Sequence, residues 1–96
     1  MELHLADNPT TSRYEATIGD EVVGFAAYHR SGDTVVLPHV EVRPEYGGRG
    51  IASALARFAL DDIRTAGLQV MPVCPFVKRY IETHAAYQDL IAVSVP

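Results

Sequence analysis

Three glycines fall within four positions in the run Val42-Arg43-Pro44-Glu45-Tyr46-Gly47-Gly48-Arg49-Gly50-Ile51-Ala52. Where a strand hands over to a helix, such a cluster lets backbone N–H groups approach an anion, and the positive end of the helix dipole points at the same place. Pyrophosphate suits that chemistry; a tight turn that holds no ligand is the alternative. Two other nucleotide motifs are excluded. No Gly-Lys-Ser/Thr is present, and Gly48-Arg49-Gly50 meets Ser53 where a dinucleotide fingerprint needs a third Gly or Ala.

His39 and Glu41 are two apart, so on a regular strand they point to one side and could serve as a general base or a proton-relaying pair. Two solvated residues on a sheet face are the alternative. Cys74 directly precedes Pro75 at an expected helix start, where a thiolate is favoured. It could carry an acyl group on the way to an amine, or be inert packing. Arg49 in the glycine loop, with Lys78 and Arg79 after Cys74, could form a local basic patch for phosphates. No metal site is expected, because His4, His29, His39 and His84 with one cysteine lack the close paired spacings of zinc sites.

The elements that must position these groups read as strands first and helices later. Tyr14 to Ile18 and Glu21 to Tyr28 form a hairpin signal about Gly19-Asp20, and Ser31-Gly32-Asp33 leads into a third strand, Thr34 to Val42. Pro38 inside that strand removes a ladder donor and implies a bulge or an edge. Ile51, Leu55, Phe58, Ala59, Asp62, Ile63 and Ala66 share one helical stripe, apolar except at Asp62, which predicts a helix over about 52–66 closed by Gly67. Leu68 to Val73 reads as a strand completing a βαβ unit, and Pro75 opens a second helix over about 75–86. Ile91 to Val95 could add a last short strand. The fold class is α+β: one domain over 1–96, with a mixed, mostly antiparallel sheet in the order β-β-β-α-β-α.

The chain has 96 residues, 48% of them hydrophobic and 21% charged, which is the make-up of one globular domain with a radius of gyration of roughly 12 Å. A formal charge of −4 works against unspecific binding to nucleic acid or to an acidic membrane. No apolar run approaches the length of a membrane span, and Met1-Glu2-Leu3-His4 lacks the order of a signal peptide. With one cysteine no internal disulfide can form. The expectation is a soluble cytoplasmic protein, a monomer or weak homodimer through an exposed edge strand.

Gly47-x-x-Gly50-x-Ala52, preceded by Val42-x-Pro44-Glu45 and followed by Leu55, resembles the acyl-CoA-binding signature of the Gcn5-related N-acetyltransferases, with Gly47 in place of the usual Gln or Arg. Val70-x-Pro72-x-Cys74-Pro75-Phe76-Val77-x-x-Tyr80-Ile81-x-x-His84-x-x-Tyr87 resembles a short, minimal branch of that superfamily. The resemblance covers roughly residues 12–90. It implies acetyl-CoA as co-substrate and transfer of its acetyl group to an amine by direct attack; a non-catalytic acyl-CoA-binding module acting through a partner protein is the alternative. It further implies that Gly47, Gly48, Arg49, Gly50, Ile51, Ala52 and Ser53 hold the pyrophosphate, largely through backbone amides. Backbone near Val40 and Val42 would bond the pantetheine arm, and Cys74, Phe76, Lys78 and Arg79 would line the cofactor site. Tyr80 would donate a proton to the leaving thiolate, or be plain core. Full-length members carry one or two helices between their first two strands; here only Gly19-Asp20 is expected between them, so the acceptor side should lie open to a large or exposed amine.

Overall fold

The computed structural model describes residues 2–92. The chain runs β1 (Leu3–Asn8), β2 (Arg13–Ile18), β3 (Glu21–Ser31), β4 (Thr34–Val42), α1 (Ile51–Thr65), β5 (Gln69–Pro72) and α2 (Pro75–Glu82), with 3-10 turns at Pro44–Tyr46 and Ala85–Leu90. The five strands lie in sequence order, antiparallel except for the β4–β5 pair. The α+β class and the mixed sheet are as expected, and the radius of gyration is 13.0 Å.

One strand is a correction. The sheet begins with β1, absent from the expected β-β-β-α-β-α order, which pairs Leu3↔Ile18 through Asn8↔Arg13. The first connection is therefore the short turn at residues 9–12, and Gly19-Asp20 joins the second and third strands. Neither connection carries a helix. A second correction is the end of α2 at Glu82 rather than about 86. Thr83 Oγ1 bonds the carbonyls of Arg79 and Tyr80, and His84 Nδ1 lies 2.7 Å from the Tyr80 carbonyl, so side chains take over the last carbonyls of the helix. Beyond β5, Ile91 makes a single parallel bridge to Val70, and the Ala92 amide donates to the Val70 carbonyl at 2.9 Å. The rest of the expected last strand, Val93 to Val95, lies outside the described residues.

Both helices pack on one face of the sheet. Leu55, Ala59, Leu60 and Ile63 of α1 and Val77 and Ile81 of α2 close over Tyr14, Ala16, Val23, Ala26, Val35, Leu37 and Val70 to form the core. The α1 helix ends as its sequence indicates: the Gly67 amide donates to the Arg64 carbonyl and the Leu68 amide to the Ile63 carbonyl, a Schellman pair with Gly67 at φ 72°. The other face of the sheet carries Arg13 and Glu15, Phe25 and Ala27, and His39 and Glu41 in register. Among the described residues no helix covers it, and no helix is long and apolar enough to cross a membrane.

Candidate functional site

The sheet opens between β4 and β5. Their parallel ladder runs from Thr34↔Gln69 to Leu37↔Pro72 and stops there. Pro72 ends one strand and Pro38 follows the last rung on the other, so neither offers an N–H to continue. The expected bulge is present at the same point: Ala27↔His39 and His29↔Val36 leave Leu37 and Pro38 opposite Tyr28 alone. This extra residue reverses the phase of β4. Val35 and Leu37 face the helices before it, and Val40 and Val42 do so after it, which turns His39 and Glu41 to the bare face.

Backbone alternation then fixes what the opening presents. The Arg43 amide donates to the Val23 carbonyl at 2.8 Å, so Arg43, Glu41 and His39 form the hydrogen-bonded pairs with β3. The amide groups of Val40 and Val42 point the other way, toward the space β5 has left. The Cys74 amide donates to the Leu37 carbonyl at 2.9 Å and pins the start of α2 to the apex of the split.

The glycine loop stands at the mouth of this slot. Tyr46 and Arg43 both bond the Glu21 carboxylate, Tyr46 through its hydroxyl at 3.1 Å, and so tie the loop's start to β3. That hydrogen bond holds the Tyr46 phenol above its usual pKa. Gly48 and Gly50 take φ of 78° and 77°, and a Cβ on either would meet only open space. Gly50 is the N-cap of α1 in the left-handed conformation, and its carbonyl accepts from the Ala54 amide. The amides of Ile51, Ala52 and Ser53 therefore lie in the first turn without intrahelical acceptors. A cavity of about 270 Å³ in front of them is lined by Val42, Tyr46, Gly47, Gly48, Gly50, Ile51, Ala52, Ser53 and Phe76. A cavity bordered by outward-facing first-turn amides has the chemistry to fit a pyrophosphate group.

Across the slot, Phe76 is partly exposed and Cys74 is buried in the core cluster. Tyr80 lies half-buried in the groove between α1 and α2, shared with Ser53, Ala54 and Phe58, and its ring stacks on His84 at 3.9 Å. Arg79 lines the adjoining space with Ser53 and Phe76, Lys78 lies toward Pro75 and Glu82, and Arg49 places its guanidinium 5.3 Å from the Tyr46 ring centroid. Lys78 and Arg79 thus stand on α2 beside Phe76, and Arg49 stands in the loop beside Tyr46. His39 and Glu41 stand on the bare face with Nε2 and Oε1 4.0 Å apart, their side chains 58% and 61% exposed. The fold thus brings the loop, Val42 and Phe76 together and puts His39 with Glu41, but it leaves Tyr80 on the helical side, away from that pair.

Three residues at these places had no signal in the sequence. Tyr46 anchors the loop, while Phe25 and Arg13 floor a cleft beside Glu41. Their sites depend on cross-strand register, which spacing along the chain does not encode.

A mixed sheet split between two parallel strands, with a glycine-rich helix start at the mouth of the split, is the layout of an acyltransferase. The chain belongs to the family described as GCN5-related N-acetyl-transferase, whose model matches residues 13–90. Among curated relatives, Protein NATD1 of Gallus gallus and that of Homo sapiens are each 36% identical over 64 residues, 66% of this chain and 58% and 57% of theirs. The chain thus spans less than two thirds of the length of these relatives. Among solved structures, a GCN5-like protein from Staphylococcus aureus superposes with a TM-score of 0.73 at 19% identity, covering 97% of this chain and 91% of its own. The ribosomal-protein-S18-alanine N-acetyltransferase of Escherichia coli gives 0.64 at 18% identity, covering 74% of this chain and 49% of its own. At these identities the structures share the fold.

Proposed function

We propose that the chain moves an acetyl group from acetyl-CoA to an amine by direct attack of the amine on the thioester. Acetyl-CoA, when bound, supplies the acetyl group in activated form. The amides of Gly47 to Ser53 hold the pyrophosphate, with Arg49, Lys78 and Arg79 balancing its charge and that of the neighbouring phosphate. Val40 and Val42 bond the pantetheine arm as a strand would, and Phe76 packs against it. Glu41, with His39 beside it, takes a proton from the acceptor's ammonium on the bare face and so frees the neutral amine that attacks. As the C–N bond forms, the nitrogen gives its second proton to water on the open face, and as the C–S bond breaks Tyr80 donates its hydroxyl proton to the thiolate and is reprotonated from solvent; Cys74, at the apex, is the group that would carry the acetyl in a two-step route.

The observation that carries this is the opening past Leu37↔Pro72, with outward-turned amides at Val40 and Val42 leading to the glycine loop. The test is the thermal unfolding midpoint with and without acetyl-CoA, with ATP and NAD as controls. Ligand at about 100 times its Kd adds roughly 2.7 kcal/mol, a rise of about 10 °C or more in so small a domain. No rise at saturating acetyl-CoA leaves the loop a structural turn and ends the proposal.

A specific observation favours the second reading, a module that holds acyl-CoA without turnover: Tyr80 is stacked on His84 away from Glu41. A midpoint shift without acetyl transfer to any amine selects it.

A further inference from the structure

Glu21 reaches the glycine loop from another strand. It opens β3 and pairs with Ile18 of β2, which packs against the core, so Glu21 stands on the side of the sheet that the helices cover. Its carboxylate accepts from Arg43 Nη1 through Oε2 and from the Tyr46 hydroxyl through Oε1, the latter at 3.1 Å. Arg43 and Tyr46 are the two ends of the 3-10 turn at Pro44–Tyr46: Arg43 caps it, and the Tyr46 amide donates to the Arg43 carbonyl at 2.9 Å. One side chain thus holds both ends of the turn that delivers Gly47.

The consequence reaches the loop cavity through Tyr46. This residue lines the cavity of about 270 Å³ together with Gly47, Gly48 and the first turn of α1. The Arg49 guanidinium lies 5.3 Å from the centroid of the same ring, within the range of a cation–π contact. A Cβ on Gly48 or Gly50 would meet nothing within 4 Å, so the loop is open on that side and its path is fixed from its ends, by Tyr46 at one and by α1 at the other. A carboxylate near the loop repels an anion in the cavity, and the Arg43 guanidinium bonded to it offsets that charge. What Glu21 contributes to an anion site is therefore position, since its charge has the wrong sign.

We infer that Glu21 is a positioning residue for the cofactor site: through Tyr46 and Arg43 it holds the glycine loop in the path that turns the amides of Gly47 to Ser53 toward a pyrophosphate. The inference rests on the acetyl-CoA reading proposed above. It gives a role to a residue that lies outside both sequence motifs and reads along the chain only as a strand start. Position and charge make opposite demands here. If charge alone counts, removing the carboxylate relieves repulsion and tightens the binding of a polyphosphate; if position counts, removing it loosens that binding. The side chains of the ion pair are 49% and 45% exposed, so the pair itself adds little to stability and the fold survives its loss.

The test titrates CoA calorimetrically into the wild type, Glu21→Ala, Tyr46→Phe, the double variant and Glu21→Gln, and reads the order of the Gly47, Gly48 and Gly50 amides in the free proteins by ¹⁵N relaxation. The expected result for Glu21→Ala is a Kd raised about fivefold or more, with less ordered loop amides and an unfolding midpoint close to that of the wild type. The double variant should bind no worse than Glu21→Ala, because both changes break one connection. Glu21→Gln keeps an acceptor oxygen for Tyr46 and should recover most of the affinity. Affinity in Glu21→Ala equal to the wild type or tighter, or additive losses in the double variant, overturns the inference. Failure of the acetyl-CoA reading looks different: the wild type then binds no CoA, while the loop of free Glu21→Ala still loosens. An unchanged loop in that variant rejects the positioning role whatever the wild type binds.

Discussion

The hydroxyl of Tyr14 on β2 donates to Oδ2 of Asp62 on α1 at 2.9 Å, which accounts for a carboxylate on an otherwise apolar helical stripe. Tyr14 is 3% exposed, while its partner is solvated. The two ends of the bond should therefore respond unequally to mutation. Tyr14→Phe removes a bond and leaves Asp62 to water, at a cost of about 1 kcal/mol, whereas Asp62→Ala strands a buried hydroxyl and costs about 1–3 kcal/mol. Urea unfolding should show a lower midpoint for both at unchanged m, with Asp62→Ala the worse. The reverse order would mean that the ring's packing, and not the bond, is what Asp62 secures.

The same corner of the fold sets the alkaline limit of stability. Burial, then the bond to Asp62, raises the Tyr14 pKa; burial, then the 2.7 Å bond to Asp7, pushes Tyr28 up to about 12. In the unfolded chain both phenols ionise near 10.0. A pKa raised by folding contributes stability that is complete below the unfolded value and is lost as pH rises through the folded one. Unfolding midpoints should hold up to about pH 9 and fall steeply from about pH 10 to 12, less steeply in Tyr28→Phe. A flat profile between pH 9 and 11.5 would contradict the assignment.

Much of this architecture was legible along the chain, and what was missed has a physical cause in each case. The periodicity over 52–66 and Gly67 located α1 to within a residue at each end, and Pro38 marked the bulge. In β1 the core-facing apolar signal is Leu3 and Leu5 alone, an alternation too brief to stand above its polar neighbours; pairing with β2 supplies the rest. The early end of α2 depends on Thr83 and His84 turning back onto its carbonyls, a local competition that the apolar spacing does not record. The glycine loop was visible because its chemistry is local. Of the bare face only the His39 and Glu41 pair was visible, because Arg13, Phe25 and Glu41 lie on three strands and only register brings them to one cleft.

On the proposed chemistry, Glu41→Gln and Tyr80→Phe each leave the glycine loop untouched. Each should lower kcat for acetyl transfer by roughly 10²-fold or more while the acetyl-CoA midpoint shift stays at the wild-type value. Glu41→Gln acts on the amine side, so raising the pH toward the acceptor's own pKa should recover part of its loss, and should not rescue Tyr80→Phe. Wild-type rates in both variants would remove these two residues from the proposed mechanism.

Gly24 tests the close contact under the slot. A Cβ at this position of β3 would come within 3.0 Å of the Glu41 carbonyl, 3.2 Å of Val42 and 3.3 Å of Ile51. The carbonyl belongs to the strand and cannot swing aside as a side chain does. Gly24→Ala should destabilise the domain by about 1–3 kcal/mol, as overpacking does. It should also weaken acetyl-CoA binding, because Val42 and Ile51 both line the loop cavity. A variant that lost stability yet kept full affinity would show the slot to be mechanically independent of the β3–β4 ladder.

Gly50 separates backbone conformation from space in the glycine loop. Nothing lies within 4 Å of a Cβ built there, so the surrounding protein does not forbid a side chain. Its φ of 77° does, because L residues other than Gly rarely adopt that conformation and a β-branched one least of all. Gly50→Val should either strain the start of α1 in place, at about 1–3 kcal/mol, or relax it into another path. In both cases the valine stands in front of the Ile51, Ala52 and Ser53 amides, so the midpoint shift with acetyl-CoA should vanish. Gly50→Asn, which tolerates the left-handed region, should recover most of the stability and, with its side chain still in front of the amides, little of the binding. Full affinity in Gly50→Val would place the anion elsewhere and reduce the loop to a turn.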